Sequence, residues 1–244
     1  MTLWLVTILS VLAVAIGRFL SIEVRLTKYR VAREQARVLA RSGVYLALQR
    51  LQDDATTPEE GGGQFDWLGD AWAQFLDSAD PAVWVVDLPD LSGPSGGPAR
   101  IEIRMVDEER KLPLNQVQAD PADSWYVALT RLVRAPQAAP RIADALDADT
   151  DPFGAEGLEV DEGAQPPYTA KNGPLVALEE LRQIPGLEAE SFAVLAQAAS
   201  VAPLANKLNI NTVTPEVLTA LGMRDSTTES LRACRAGGTI FKTE

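Results

Sequence analysis

The chain has 244 residues, 46% of them apolar and 23% charged, with a formal net charge of −12. That length holds one or two domains and a sizeable core. With no histidine and a single cysteine, Cys234, an internal disulfide framework, a Cys/His zinc site and a histidine-based mechanism are excluded.

The acidic balance argues against a general nucleic-acid binder, whose phosphate contacts need a basic surface. A carboxylate enzyme, a calcium binder and a structural or interaction protein stay open. The charge is unevenly spread. Residues 1–52 carry eight basic and two acidic side chains, and residues 53–244 carry 14 and 32. A basic stalk precedes an acidic body.

The opening run, MTLWLVTILSVLAVAIG, has no charge; Arg18 ends it, and Phe19, Leu20 and Ile22 prolong its apolar character. A bilayer-spanning helix needs roughly 20 such residues, so residues 1–22 read as the transmembrane part of a helix. A signal peptide would close on a small-residue cleavage site before a new chain begins, whereas Ala13, Ala15 and Gly17 lead into more helix. Residues 23–54 read as its amphipathic continuation. Val38, Leu39, Ser42, Tyr45, Leu46 and Gln49 recur at three- and four-residue spacing, while Arg33, Glu34, Arg37 and Arg41 take the other face. No proline occurs before Pro58. Unbroken, such a helix is a rod of roughly 78 Å.

Residues 55–114 are expected to form a small α/β body. Val83–Leu88 is β-rich between Pro81 and Pro89, and Ile101, Ile103 and Met105 alternate as in a half-buried strand. A charged turn, DEER, then leads into Lys111–Leu114. These segments predict a small antiparallel sheet packed on the apolar face of residues 36–52.

Residues 115–244 read as a helical domain. Asp120-Pro121 offers a cap and a first-turn proline, after which Trp125, Leu129 and Leu132 share one face. Leu178–Leu181 and Phe192–Ala199 suggest two more helices. Thr214-Pro215 and Gly222 then bracket another. Cys234 is expected to be a small buried or half-buried helix residue, not a nucleophile.

Two features could carry chemistry. Between Asp144 and Glu162 lie eight carboxylates, Asp144, Asp147, Asp149, Asp151, Glu156, Glu159, Asp161 and Glu162, and no Lys or Arg occurs between Arg141 and Lys171. Asp147, Asp149 and Asp151 alternate as in loops that wrap hard oxygens around calcium. An EF-hand is excluded, because Pro152 and Leu158 stand where its glycine and closing glutamate belong. The other feature is a pair of turns, Ile184-Pro185-Gly186-Leu187 and Ala220-Leu221-Gly222-Met223, similar to the hairpin of helix-hairpin-helix DNA modules. A single-pass anchored DNA-binding protein is therefore the alternative function. Against it, Glu188 takes the second-glycine position, Glu190 follows, and the surrounding body is acidic. Paired carboxylates could also serve a glycosidase, but nothing else supports a cleft, so no enzyme and no catalytic residue is expected.

An apolar helix that turns amphipathic and ends at a small acidic body resembles type IV pilins and pseudopilins. The segment Ala32–Leu51, AREQARVLARSGVYLALQRL, is similar to the helix of the K-type minor pseudopilins of type II secretion systems. Val106–Asn115, VDEERKLPLN, resembles that family's strand and turn. The acidic loop, Pro-Pro-Tyr, Asn-Gly-Pro and Leu-Glu-Glu-Leu of Ala143–Leu181 follow in family order, and so does Lys207–Leu221, KLNINTVTPEVLTAL. The ordered series spans nearly the whole chain. On this likeness the chain is expected to be trimmed at both ends, lacking a basic leader and the strands that close a pilin sheet.

The resemblance implies an α+β fold: a long helix on a small antiparallel pilin-like sheet, with a large all-α domain inserted at residues 115–244. It implies calcium in that domain without choosing the ligands. It further implies a non-enzymatic subunit at the tip of the secretion pseudopilus, initiating or capping the filament and supporting export of folded proteins across the outer membrane. Its partners would be the I- and J-type minor pseudopilins, with secreted substrates and the secretin beyond them. Helix-to-helix association is expected at the small positions Ala32, Ala36, Ala40, Gly43 and Ala47. Most pilins hold a carboxylate within the apolar helix, retained in lipid only where it is paired. The K-type subunit lacks it, and here no acidic residue precedes Glu23. Localisation would be the inner membrane, single-pass, with the body in the periplasm, although the basic stalk by itself suggests the opposite orientation.

Overall fold

The computed structural model describes residues 2–57, 65–70, 72–73, 83–93, 97–133, 135–203 and 207–241. They fall into two units, Met1–Thr57 with Pro81–Met105, and Pro58–Asp80 with Val106–Glu244.

The first unit is built on α1 (Thr2–Thr56), one unbroken 55-residue helix. Nothing in its sequence interrupts the backbone ladder, since it contains no proline and its two glycines lie far apart. Beside it stands an antiparallel hairpin, β1 (Trp84–Ser92) and β2 (Pro98–Ile103), with Trp84 opposite Ile103, Val86 opposite Ile101 and Leu88 opposite Ala99. Alternate residues of β2, namely Ala99, Ile101 and Ile103, are buried, as a period of two requires. Gly43 is the one buried residue of α1 among those described. A Cβ there would stand 2.9 Å from Ile101 Cγ2, so glycine is what lets the helix settle onto the strand. Leu39, Ser42, Leu46, Ala47 and Arg50 are half-buried on the same helical face, and the Arg50 guanidinium lies 5.6 Å over the Trp84 ring. The expected packing of a small sheet on residues 36–52 is thus present as a two-stranded hairpin.

The second unit holds the larger core. Its helices are α2 (Ser124–Val133), α3 (Ala138–Leu146), α4 (Ala189–Ala198), α5 (Pro215–Ala220) and α6 (Asp225–Ala236). Leu112, Leu114, Leu129, Ile142, Leu181, Leu195, Val213 and Val217 have no more than 1% of their surface exposed. The part expected to be all-α also contains short strands. β6 (Ala199–Ser200) pairs in parallel with β3 (Leu112–Pro113), which precedes that part, and β4 (Val160–Asp161) pairs antiparallel with β5 (Tyr168–Thr169).

Several local expectations are corrected. Lys111–Leu114 does not extend the β1–β2 sheet; its Leu112 and Pro113, both buried, pair with β6 instead. The DEER turn is a 3-10 turn at Glu108–Arg110, capped by Asp107. Helix α2 begins at Ser124 rather than behind Asp120-Pro121, because Asp123 accepts from the Tyr126 amide while Asp120 closes its own turn on Ala122. Leu178–Gln183 is a 3-10 segment, and Cys234 is exposed. The start at Thr214-Pro215 is as read: the Thr214 hydroxyl accepts from Val217 N at 3.4 Å.

Side-chain ties hold this unit's loops. Asn115 donates to the carbonyls of Leu175 and Val201 and accepts from the Leu175 amide, at 2.8–3.0 Å. Asp107 accepts from the Glu109 amide, the Asn209 amide group and the Thr212 hydroxyl. Each replaces water on a polar group that folding takes out of solvent.

Candidate functional site

The acidic segment begins where α3 ends. Asp144, in its last turn, is fully buried. Both its carboxylate oxygens accept backbone amides, from Phe153 at 2.8 Å and from Leu158. That double contact folds residues 147–158 back against α3. Gly157 makes it possible, since a Cβ there would stand 2.6 Å from Asp144 Oδ2 and 2.4 Å from Phe153 N. Asp144 is therefore an anchor of the loop, its oxygens already occupied.

The folded loop brings three of the eight carboxylates together. One oxygen each from Asp147, Asp149 and Glu159 lie within 4.8 Å of one another. Glu159 is 8% exposed, and its Oε1 has no hydrogen-bond partner; neither has Asp147 Oδ1. Asp151, Glu156, Asp161 and Glu162 do not join them. Asp151, Glu156 and Glu162 are exposed, and Asp161 closes the β4–β5 turn by accepting from Gly163 and Ala164.

Asn172, an uncharged residue that acidic composition does not mark, stands beside this cluster. Asn172 adopts a left-handed backbone, φ 50°, a conformation asparagine tolerates better than most residues. Its amide nitrogen donates to the Asp149 carbonyl, and its Oδ1 is buried without a partner. The Asn-Gly pair at 172–173 was the available signal, as a turn able to aim a side-chain amide at the loop. Glu180 fixes this second wall: it accepts from the Val176 and Ala177 amides and pairs with Lys171 at 2.7 Å. The Lys171 contact and those amides hold its carboxyl down at about 2. The lysine next to the cluster is thereby turned to Glu180.

The electrostatics follow from this crowding. Burial, then Asp149, Asp144 and Glu159, pushes the Asp147 carboxyl up to about 6. Burial also raises Glu159, partly offset by the Asn172 amide and reinforced by Asp144, Asp149 and Asp151. Burial, then Glu159 and Asp144, lifts the Tyr168 phenol, whose oxygen is likewise unpartnered, to about 12. Buried acceptor oxygens left without donors, as Asp147 Oδ1 and Glu159 Oε1 are, are costly. A hard cation relieves that cost, and two oxygens on opposite sides of a calcium ion stand about 4.8 Å apart. The donor set is all oxygen, which suits calcium and not a thiolate- or imidazole-seeking metal.

The paired turns also gain a structural role. Gly186 and Gly222 have φ of 78° and 91°. Arg141, from α3, donates to the Pro185 carbonyl at 2.6 Å, and Arg131, from α2, donates to the Ala220 carbonyl at 2.8 Å. A Cβ on either glycine would press on its arginine, at 2.5 and 2.8 Å respectively. Each hairpin is clasped by the chain's own guanidinium. That packing accounts for both glycines without a nucleic-acid phosphate.

On α1, the expected association stripe divides. Ala36 and Ala40 are exposed, Ala32 and Ala47 half-buried, and Gly43 is buried against β2. Gly43 is therefore not part of an exposed face. Val44 and Leu48 are 60% and 48% exposed, and they continue the outward side of the helix from Ala40. Among the described residues one helix, α1, is long and apolar enough to cross a membrane.

The family described as type II secretion system (T2SS), protein K, matches over residues 105–204. No curated protein matches the chain. Among solved structures, the fold is similar to a chain of the crystal structure of the GspK-GspI-GspJ complex from the enterotoxigenic Escherichia coli type 2 secretion system. The TM-score is 0.59 at 22% identity, covering 80% of this chain and 68% of that one. This chain's α+β arrangement, a long N-terminal helix with small sheets, thus resembles the fold of that chain. Residues 105–204 thus match the type II secretion system protein K family, the same family whose likeness the sequence carries.

Proposed function

We propose that the chain is a minor pseudopilin at the tip of a type II secretion pseudopilus, anchored by α1 in the inner membrane with its body in the periplasm. The match of residues 105–204 to the protein K family carries this reading. Likeness in fold to a chain crystallised in a complex with GspI and GspJ supports I- and J-type subunits as partners. The absence of any acidic residue before Glu23 supports a place where no neighbour above must be paired. Helices α2–α6 would be the inserted domain whose bulk caps the filament. The exposed side of α1, from Ala36 and Ala40 through Val44 and Leu48, would pack on the partner helices, with small residues allowing close approach. Co-expression of the full chain with its I- and J-type subunits tests this. A stable complex should form, and Ala40→Glu should weaken it while the body stays folded. Failure to bind either subunit, or normal secretion without this protein, would reject the reading.

The same body would hold calcium through Asp147, Asp149, Glu159 and Asn172. The supporting observation is the buried, unpartnered Glu159 oxygen facing two further carboxylates. Bound there, calcium would supply the charge that those oxygens lack and fasten the 147–161 loop to residues 168–173. A ligand that binds only the folded state raises its melting temperature, so millimolar calcium should stabilise the protein relative to chelator. Glu159→Gln should abolish the difference. An unchanged melting curve in the unsubstituted chain would refute the site.

A further inference from the structure

The stalk carries a group of basic side chains that neither the calcium site nor the helix-packing face uses. Arg18, Arg25, Lys28, Arg30 and Arg33 are all exposed on α1, and among the described residues none takes part in an ion pair. Glu23 is the only acidic residue in that stretch.

We infer that these residues form a collar that gathers anionic phospholipid headgroups around the helix where it leaves the bilayer. Three observations support this. The first is depth. At about 1.5 Å per residue, Arg25, Lys28 and Arg30 lie roughly 5, 9 and 12 Å beyond Ile22, the last residue of the apolar run. The headgroup region of one leaflet is about 5–8 Å thick, and long basic side chains reach back toward it. Arg18 lies within the apolar run and snorkels outward toward the same layer. Basic side chains on both sides of the boundary thus converge on one depth.

The second observation is direction. At about 100° per residue, the five basic positions point around more than half of the helix circumference. A docking site for one protein would gather on one face, whereas a headgroup layer encircles the helix. The third is charge complementarity, since juxtamembrane lysines and arginines are attracted to phosphate-bearing anionic lipids and released by salt. The attraction is the same for either membrane face. It rests on the single-pass reading of α1.

The test uses the full chain in vesicles of phosphatidylcholine and phosphatidylglycerol, with spin-labelled lipid reporting which headgroup occupies the shell around the protein. Phosphatidylglycerol should be enriched about twofold or more over phosphatidylcholine, falling toward no preference in high salt. Arg25→Gln, Lys28→Gln and Arg30→Gln together should remove the enrichment, and Arg25→Lys with Arg30→Lys should keep it. These positions are exposed, so the body should melt unchanged. Insertion without any lipid preference overturns the collar alone, whereas failure to insert overturns the single-pass reading. An enrichment that the triple substitution leaves intact also overturns it. So does an intact chain without preference whose triple variant loses a partner subunit, which would assign the basic residues to an acidic protein surface.

Discussion

The two units are both built on helices, and they sustain them by opposite means. Helix α1 runs for 55 residues with a single buried position among those described. The helices of the second unit have 6–12 residues each, too short to persist alone, and each of them buries at least two side chains. Along α1 the backbone ladder is its own support, and apolar side chains such as Val38, Val44 and Tyr45 stay 60–73% exposed. In the body, tertiary packing makes the helices. A unit that covers its own apolar surface is finished as a fold; one that leaves it bare has surface left to meet something else, which on the proposed function is a bilayer at one end and partner helices beyond it.

That contrast breaks most directly in the core. Leu129 lies on α2 with no exposed surface, in a cluster that also takes in Leu114, Ile142, Leu195 and Val217. Leu129→Ala should cost about 3 kcal/mol through lost burial and the cavity left behind. Urea unfolding of the full chain in detergent, followed by tryptophan fluorescence, measures it. A loss below about 1 kcal/mol would mean that the body does not depend on one shared core.

The next largest effect belongs to the one place where α1 is packed. Gly43→Leu drives a side chain into Ile101, which stands 2.9 Å from the nearest point of its path. Overpacking of this kind costs about 2 kcal/mol, and it should free the β1–β2 hairpin for proteolysis without lowering the helix content of α1. At Gly17 a new Cβ meets nothing within 4 Å, so Gly17→Ala should be neutral or favourable. Equal sensitivity at the two glycines would erase the distinction between the packed and the bare stretches of the helix.

Much of this was legible in the sequence, and what was missed has identifiable causes. The long helix followed from uninterrupted periodicity, β1 from a β-rich run whose true end lies past Pro89, and β2 from alternation. Helix α3 went unread because AAPRIADAL is alanine-rich with an internal proline, and its apolar face shows only against a partner. Helix α6 is mostly polar, burying only Thr228 and Leu231. The β3–β6 pairing joins residues 112–113 to 199–200, a separation no local pattern reports. Within the acidic segment, composition located the cluster but could not sort it. Asp144 and Asp147 differ by less than one helical turn, yet one is consumed by backbone amides and the other faces the cluster. Asn172 was missed because an amide oxygen carries no charge to draw attention.

A smaller effect separates the units by charge. In the calcium-free body, Asp147 titrates at about 6, against 3.8 for an ordinary aspartate. Folding therefore favours its protonated form. That contribution is complete below about pH 3.8 and is lost as the pH rises through about 6; Glu159, raised for the same reason, adds with the same sign. Glu180, held down at about 2, acts in the opposite sense and only below its usual 4.5. Without calcium, the melting temperature should fall between pH 4.5 and pH 6.5, the Asp147→Asn variant should fall less, and saturating calcium should flatten the curve. A melting temperature that rises across this range without calcium would contradict the crowded-carboxylate account.

The smallest effect on folding is the one that most sharpens the contrast. Val44 and Leu48 stand one turn apart on the outward side of α1, about half or more exposed, and neither belongs to the buried face that carries Gly43. Replacing an exposed apolar side chain removes little that folding had buried, so Val44→Ser and Leu48→Ser should each change the stability of the isolated chain by less than about 0.5 kcal/mol. Their value lies in transfer to the assembly. If this side of the helix packs on partner helices, the same two substitutions should weaken co-purification with the I- and J-type subunits while leaving the melting curve in place. Loss of stability in the isolated chain would show that the surface is already covered within one molecule. Unchanged co-purification would place the partner contact on another side of α1.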